Sequence, residues 1–236
     1  MPSTSENPLN VDFECSKLGT KEYWDQRYAQ DLETFRDCGE EGEIWFGKTA
    51  ENRIIKFVRE NVPQSAAILD LGCANGSILR KLFYKGYRNL FGVDYSETAI
   101  RLAKECVEND EDVDSPESFQ FETVDLTSPD ALPDSLKAKF DSLMDKGTWD
   151  AISLGSNPSD LIHRYVQCLS ALFNDETEGN QYFVIISCNF TVEELTDFFT
   201  KDGRFEVHAE LPNTNTFCFG GKVGKTTSGM AFKRIR

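Results

Sequence analysis

The stretch Ile68-Leu69-Asp70-Leu71-Gly72-Cys73-Ala74-Asn75-Gly76-Ser77 restricts what this chain can become more than any other part of it. An apolar run ends in an acid, a glycine turn follows, and a new apolar segment begins at once. That order is the signature of a buried parallel strand feeding the helix that lies over it, and at such an edge the backbone comes close to a ligand. Gly72 and Gly76 stand four positions apart, which gives G-x-x-x-G, whereas dinucleotide binders use G-x-G-x-x-G. A pyrophosphate wants bare amides at a helix start. A ligand with an ammonium-bearing tail wants an acid beside the glycines, and Asp70 is placed to be that acid; a plain turn or helix cap is its other reading.

From Ala66 onward short apolar runs alternate with amphipathic segments, as in a parallel sheet covered by helices on both faces. The runs predict strands over Ala67 to Leu71, Asn89 to Asp94, Phe119 to Val124, Phe140 to Met144, Tyr182 to Ser187, Phe205 to Glu210 and Gly229 to Ile235. Helices are predicted over Gly76 to Tyr84, Ser96 to Glu108, Pro158 to Phe173 and Thr191 to Thr200, with Asn157-Pro158 and the pair Thr191 and Glu194 as start signals. Ahead of this core, residues 16–62 form an expected helical cap: an aromatic stripe from Thr20 to Phe35, the glycine-bounded loop Gly42-Glu43-Ile44-Trp45-Phe46-Gly47, and a helix from Thr49 to Glu60. Residues 1–15 are polar and acidic and are expected to be a disordered tail, so the folded unit is a single domain over 16–236.

Charge narrows the partners. Forty acids against 25 bases give a net charge of −15, which repels phosphate backbones and anionic lipid and attracts basic proteins. Neither nucleic acid nor a membrane is an expected partner. The seven cysteines are scattered with no C-x-x-C pair, and His163 and His208 stand apart from them, so reduced thiols, a cytoplasmic or nuclear setting and no metal site are expected. The acids between Glu105 and Glu117 read as a solvated loop or as a docking surface for a basic partner.

Two further acids end the next two strands. Asp94 lies 24 positions past Asp70, where it can accept both ribose hydroxyls of a nucleoside, and Asp125 can accept an adenine amine or cap its own loop. The run D-L-G-C-A-N-G followed by V-D-Y-S resembles the cofactor motifs of class I S-adenosylmethionine-dependent methyltransferases. Their fold is a Rossmann-like α/β sheet of seven strands, mostly parallel with the last strand reversed and helices on both faces. The segments Ser16 to Thr20, Gly42 to Gly47, Asp145-Lys146-Gly147-Thr148, Asp150 to Ser153, Ser187-Cys188-Asn189 and Phe217 to Gly221 resemble, more narrowly, the protein-lysine methyltransferases of translation elongation factor 1-alpha.

That resemblance implies S-adenosylmethionine as cofactor and elongation factor 1-alpha as partner, bound by a monomer. It implies a cofactor site of Trp45, Asp70, Gly72, Cys73, Ala74, Asn75, Gly76, Asp94, Tyr95, Ser96, Asp125, Leu126 and Asp145, and a substrate site of Trp45, Phe46, Asn189 and Phe219. Asp145 and Asn189 are the expected catalytic pair, Asp145 orienting the lysine and accepting its proton. A carboxylate capping the turn at Gly147 is the other reading of Asp145, and a turn residue before Thr191 that of Asn189. Cys73 reads as a small filler in the turn and Trp149 as core. Methyl transfer to an amine needs neutral lysine, whose reference pKa is about 10.4, so an apolar pocket is required. Two rivals keep the same glycine turn: a small-molecule methyltransferase, and a cofactor-binding interaction protein without turnover.

Overall fold

The computed structural model describes residues 16–213, 216–219 and 222–235. The tail expected over 1–15 lies outside the described residues.

Seven strands form the main sheet: β1 (Ile68–Leu71), β2 (Leu90–Asp94), β3 (Phe119–Thr123), β4 (Ser142–Lys146), β5 (Tyr182–Ser187), β6 (Phe205–Glu210) and β9 (Ser228–Arg234). A separate hairpin, β7 (Thr216–Phe219) with β8 (Lys222–Lys225), occupies the stretch between Leu211 and Ser228, where the sequence indicates only a loop. The sheet order is β3-β2-β1-β4-β5-β9-β6, and β9 runs antiparallel to both of its neighbours. Strand order reverses at β1, which pairs in parallel with β2 on one side and β4 on the other. The expected seven-stranded sheet with a reversed last strand is therefore present. β4 lies two residues later than its apolar run suggests, because pairing with β1 sets Leu71 opposite Asp145 and pairing with β5 carries the strand on to Lys146, opposite Ile186.

The helices are α1 (Lys21–Cys38), α2 (Gly47–Asn61), α3 (Ser77–Phe83), α4 (Glu97–Glu108), α5 (Thr148–Ser153), α6 (Pro158–Leu172) and α7 (Val192–Thr200). Their ends follow local chemistry. The Thr20 hydroxyl accepts the Tyr23 N–H at the start of α1, and Gly39 closes that helix at φ 80°. Thr191 and Glu194 form the expected reciprocal capping box of α7.

Alternation along the strands divides the core in two. Leu69, Leu71, Leu143, Phe183, Ile185 and Phe232 face α6 and α7, with Trp149, Tyr165, Leu169 and Phe199. Ile68, Met144, Val184, Ile186 and Ala231 face the other way, against Ile54, Val58, Leu79 and Leu82 of α2 and α3. β1, β2 and β5 are buried along their whole length, as strands covered on both faces must be, while the edge strands β3 and β6 are buried only at their first residues, Phe119 and Phe205. α1 lies across α4, with Leu32 against Leu102 and Cys106, and Trp24 and Tyr28 against Ala99.

The acids of 105–117 are partly committed inside the molecule. Glu105 pairs with Arg36 of α1, and Asp110 pairs with Arg80 of α3 at 3.0 Å and also accepts the Tyr84 hydroxyl.

Candidate functional site

The turn after β1 is built by close contact. Gly72 sits at φ 73°, and a Cβ there would lie 1.9 Å from Thr148 Oγ1, whose hydroxyl donates to Leu71 O at 2.6 Å. Only glycine lets the first turn of α5 approach β1 so closely. Gly76 caps α3 at φ 70° and fits tightly beneath Phe121. Asn75 fastens the turn from both sides: Oδ1 accepts the Ser77 N–H at 3.1 Å and Nδ2 donates to Glu41 O at 2.9 Å.

Over this turn opens a cleft of about 340 Å³. Gly72, Ala74, Asp94, Tyr95, Asp125 and Leu126 line one end, while Phe46, Asp150, Ile152, Leu161 and Asn189 contribute further walls. A small recess adjoins it, lined by Glu51, Asp70, Cys73 and Asn75; Trp45, Gly72, Ala74 and Lys146 line both spaces. The sequence reading thus has most of its residues together. Ser96 is fully buried as the cap of α4 and, with Gly76, supports the site without lining it.

The acids are held in an unusual state. Asp94 Oδ2 accepts the Ala74 N–H at 3.2 Å and Oδ1 the Ser96 N–H at 3.0 Å, leaving each oxygen a lone pair for a hydroxyl donor. Burial pushes Asp94 up to about 6 against those bonds. Burial pushes Asp70 higher, to about 8; Lys146 opposes that shift, and Glu51, Asp145 and Asp94 add to it. Among the described residues nothing hydrogen-bonds the Asp70 carboxylate. Asp125 accepts from the Thr127 and Ser128 hydroxyls at 2.6 and 3.0 Å, so it caps its loop while lining the cleft.

Aromatic rings wall the cleft. Trp45 packs on Trp24 with centroids 4.7 Å apart, and Trp24 stacks on Tyr28. Phe46 takes φ 63° to start α2, which lays its ring over Gly147, 3.1 Å from where a Cβ would be. Lys146 reaches back from β4 and donates to Trp45 O at 3.0 Å; burial lowers its pKa, and Glu51 and Asp70 oppose that. The sequence reading missed Lys21, Trp24, Tyr28, Lys146, Thr148 and Asp150 as cleft residues. The aromatic stripe on α1 was the available signal for Trp24 and Tyr28.

Asp145 departs from its expected place. It shares a sheet face with Leu143, so its side chain enters the α6 side while Lys146 takes the cleft. Its carboxylate is fully buried and accepts the Thr148 N–H at 2.9 Å, the Trp149 N–H at 3.0 Å and the Tyr165 hydroxyl. This is the capping arrangement, and Asp145 does not line the cleft. Burial pushes it up to about 7. Asn189 does line the cleft; its N–H donates to Asp150 Oδ1 at 2.7 Å and its side chain is exposed. Phe219 falls on β7, and its side chain lies outside the described residues. Trp149 is core, as expected, and Cys73 packs its sulfur against Gly92. No group of three or more His, Cys, Asp or Glu that could hold a metal occurs among the described residues.

The site suits a nucleoside carrying a cationic tail. Hydroxyl donors match Asp94, and an ammonium matches the unpaired, buried Asp70 in the adjoining recess.

A family model described as a methyltransferase domain matches residues 64–229. The chain is 40% identical to EEF1A lysine methyltransferase 2 of Danio rerio, over 98% of this chain and 95% of that protein. It is 37% identical to the Homo sapiens protein of the same name, over 99% and 93%, and 35% identical to protein-lysine N-methyltransferase EFM4 of Saccharomyces cerevisiae, over 94% and 96%. Among solved structures, magnesium protoporphyrin IX methyltransferase of Synechocystis with bound SAM superposes with a TM-score of 0.57 at 13% identity, covering 89% of this chain and 97% of that one. A TehB-like SAM-dependent methyltransferase of Corynebacterium glutamicum gives 0.56 at 17% identity, over 91% and 100%. At such identities these two share the fold.

Proposed function

Because the chain belongs to the methyltransferase family that includes the vertebrate EEF1A lysine methyltransferase 2 proteins and yeast EFM4, we propose that it transfers a methyl group from S-adenosylmethionine to a lysine of translation elongation factor 1-alpha. The observation that carries this reading is the pair of buried carboxylates, Asp70 and Asp94, joined by the Gly72 turn and facing adjoining spaces beside an aromatic wall.

Asp94 would hold the ribose hydroxyls, Asp70 the amino-acid ammonium, and Tyr95, Asp125 and Leu126 the base. The cofactor supplies an electrophilic methyl on a sulfonium. The chain supplies alignment and a dry approach. Trp45, Phe46, Ile152 and Leu161 exclude water from the lysine stem, and a desolvated ammonium sheds its proton more readily than the reference value of about 10.4 implies. Holding nucleophile and methyl in line contributes roughly 7 to 11 kcal/mol in favourable cases. The net charge of −15 favours encounter with a basic protein over nucleic acid. Cys38, Cys73, Cys106, Cys168 and Cys188 are free thiols, which fits a cytoplasmic or nuclear setting.

Incubation of the purified chain with labelled cofactor and elongation factor 1-alpha, followed by mass spectrometry, tests the reading. Label on a lysine of that protein is expected. Label on a small molecule alone, or cofactor binding without turnover, would favour one of the two rival activities.

A further inference from the structure

Asp150 is the cleft carboxylate that cofactor binding does not use. It stands on the first turn of α5 and is 4% exposed. Oδ1 accepts three donors: the Ser187 hydroxyl at 2.8 Å, the Cys188 N–H at 3.1 Å and the Asn189 N–H at 2.7 Å. Oδ2 is buried and has no hydrogen-bond partner among the described residues. Burial pushes this carboxyl above the ordinary range, against the bonds to Oδ1.

One oxygen suffices to anchor the turn after β5. The other is a desolvated acceptor with only the weakly donating Cys188 thiol beside the carboxylate, an unfavourable state that a cationic donor would relieve. Topology places it on the substrate side. The nucleoside acids follow β1, β2 and β3, whereas Asp150 follows β4 and reaches the end of β5, across the point where strand order reverses. There the residue lines the cleft beside Asn189, Ile152 and Leu161, with Oδ2 just beneath the cleft surface.

We propose that Asp150 Oδ2 receives the ammonium of the target lysine and takes one proton from it, an inference that rests on the lysine-methyltransferase reading above. The N–H bond breaks with its electron pair left on nitrogen, the proton forms an O–H bond on Oδ2, and water later removes it. Asp145, spent on capping α5, is not needed for this step.

Asp150→Asn separates the two oxygens, since its amide carbonyl still accepts the three turn donors while an NH2 replaces the free oxygen. The parent first methylates elongation factor 1-alpha, and mass spectrometry identifies the lysine. The variant is expected to melt within about 3 °C of the parent, to bind cofactor within twofold, and to lose at least 100-fold in kcat. With S-adenosylhomocysteine bound, the parent is expected to hold the substrate protein at least tenfold more tightly than a version with that lysine changed to methionine, and the variant to hold both alike. Turnover within threefold of the parent, a preserved lysine preference, or cofactor affinity lost together with activity would each overturn the assignment. A parent that methylates no lysine defeats the functional reading and this inference with it, whereas an active parent with an active variant defeats this inference alone.

Discussion

Cofactor affinity should pass through a maximum near pH 8, because the carboxylate that meets the cofactor's ammonium ionises there. Asp70 is pushed up to about 8 in the empty site. At pH 6 only about 1% of it is ionised, and at pH 8 about half. The α-amino group of the ligand loses its own proton near 7.7 to 8.0, so the productive pair, carboxylate with ammonium, declines again above that range. Taking the product of the two fractions, the dissociation constant should rise about 20-fold from pH 8 to pH 6, and protonation of Asp94 near 6 adds about twofold. Calorimetric titration with S-adenosylmethionine across pH 6 to 9 reads this directly. Asp70→Asn should weaken binding and leave only the fall above pH 8 and the small Asp94 component. A flat profile in the parent, or an unchanged slope below pH 8 in the variant, would refute the assignment of Asp70 to the ammonium. Stability without cofactor runs the other way. Unfolded Asp70 ionises near 3.8 and the folded residue near 8, so the folded state holds the extra proton and its contribution falls as pH rises through that window.

Gly72→Ala forces a Cβ to 1.9 Å from Thr148 Oγ1 at a positive φ, and overpacking plus backbone strain should cost about 2 to 5 kcal/mol. Thermal melting of this variant and of Gly72→Ala/Thr148→Ala, which removes the overlap and keeps the strain, checks the split; equal melting points would contradict it. Asp145→Ala leaves the Thr148 and Trp149 N–H groups and the Tyr165 hydroxyl without an acceptor, for about 3 to 5 kcal/mol and a melting point lower by roughly 6 to 20 °C. An unshifted melting curve would mean the buried cap is dispensable. Thr191→Ala removes one arm of the α7 capping box and should cost about 1 kcal/mol by denaturant titration, with turnover preserved.

Most of the fold was legible because the strands of a doubly wound sheet announce themselves as short apolar runs. The exceptions have local causes. β4 ends on Asp145 and Lys146, charged residues that look like loop until pairing with β1 and β5 fixes the register. α5 is six residues long, too short for periodicity to register, and the β7–β8 pair is a Thr, Gly and Lys-rich stretch. At the site, Asp70, Asp94 and Asp125 could be read from their positions at strand ends. Asp145 could not be placed, because which face a strand residue takes is set by parity with a register that only the assembled sheet defines. Lys146 and Asp150 lay inside segments noted for other reasons, and their neighbours Trp45 and Asn189 are distant in sequence.

The position of β9 has a bearing on how the molecule is made. β5 and β6 never touch directly; β9, which follows both in the chain, is wedged between them. A nascent polypeptide can therefore zip β1 to β5 during synthesis, but it must keep β5's outer hydrogen-bonding edge open and β6 waiting until residues 228–234 leave the ribosome. Closing that gap pairs β9 with β5 across the intervening α7 and β6, a non-local and therefore slow kind of step, and it makes the interval before it a period of exposure to aggregation.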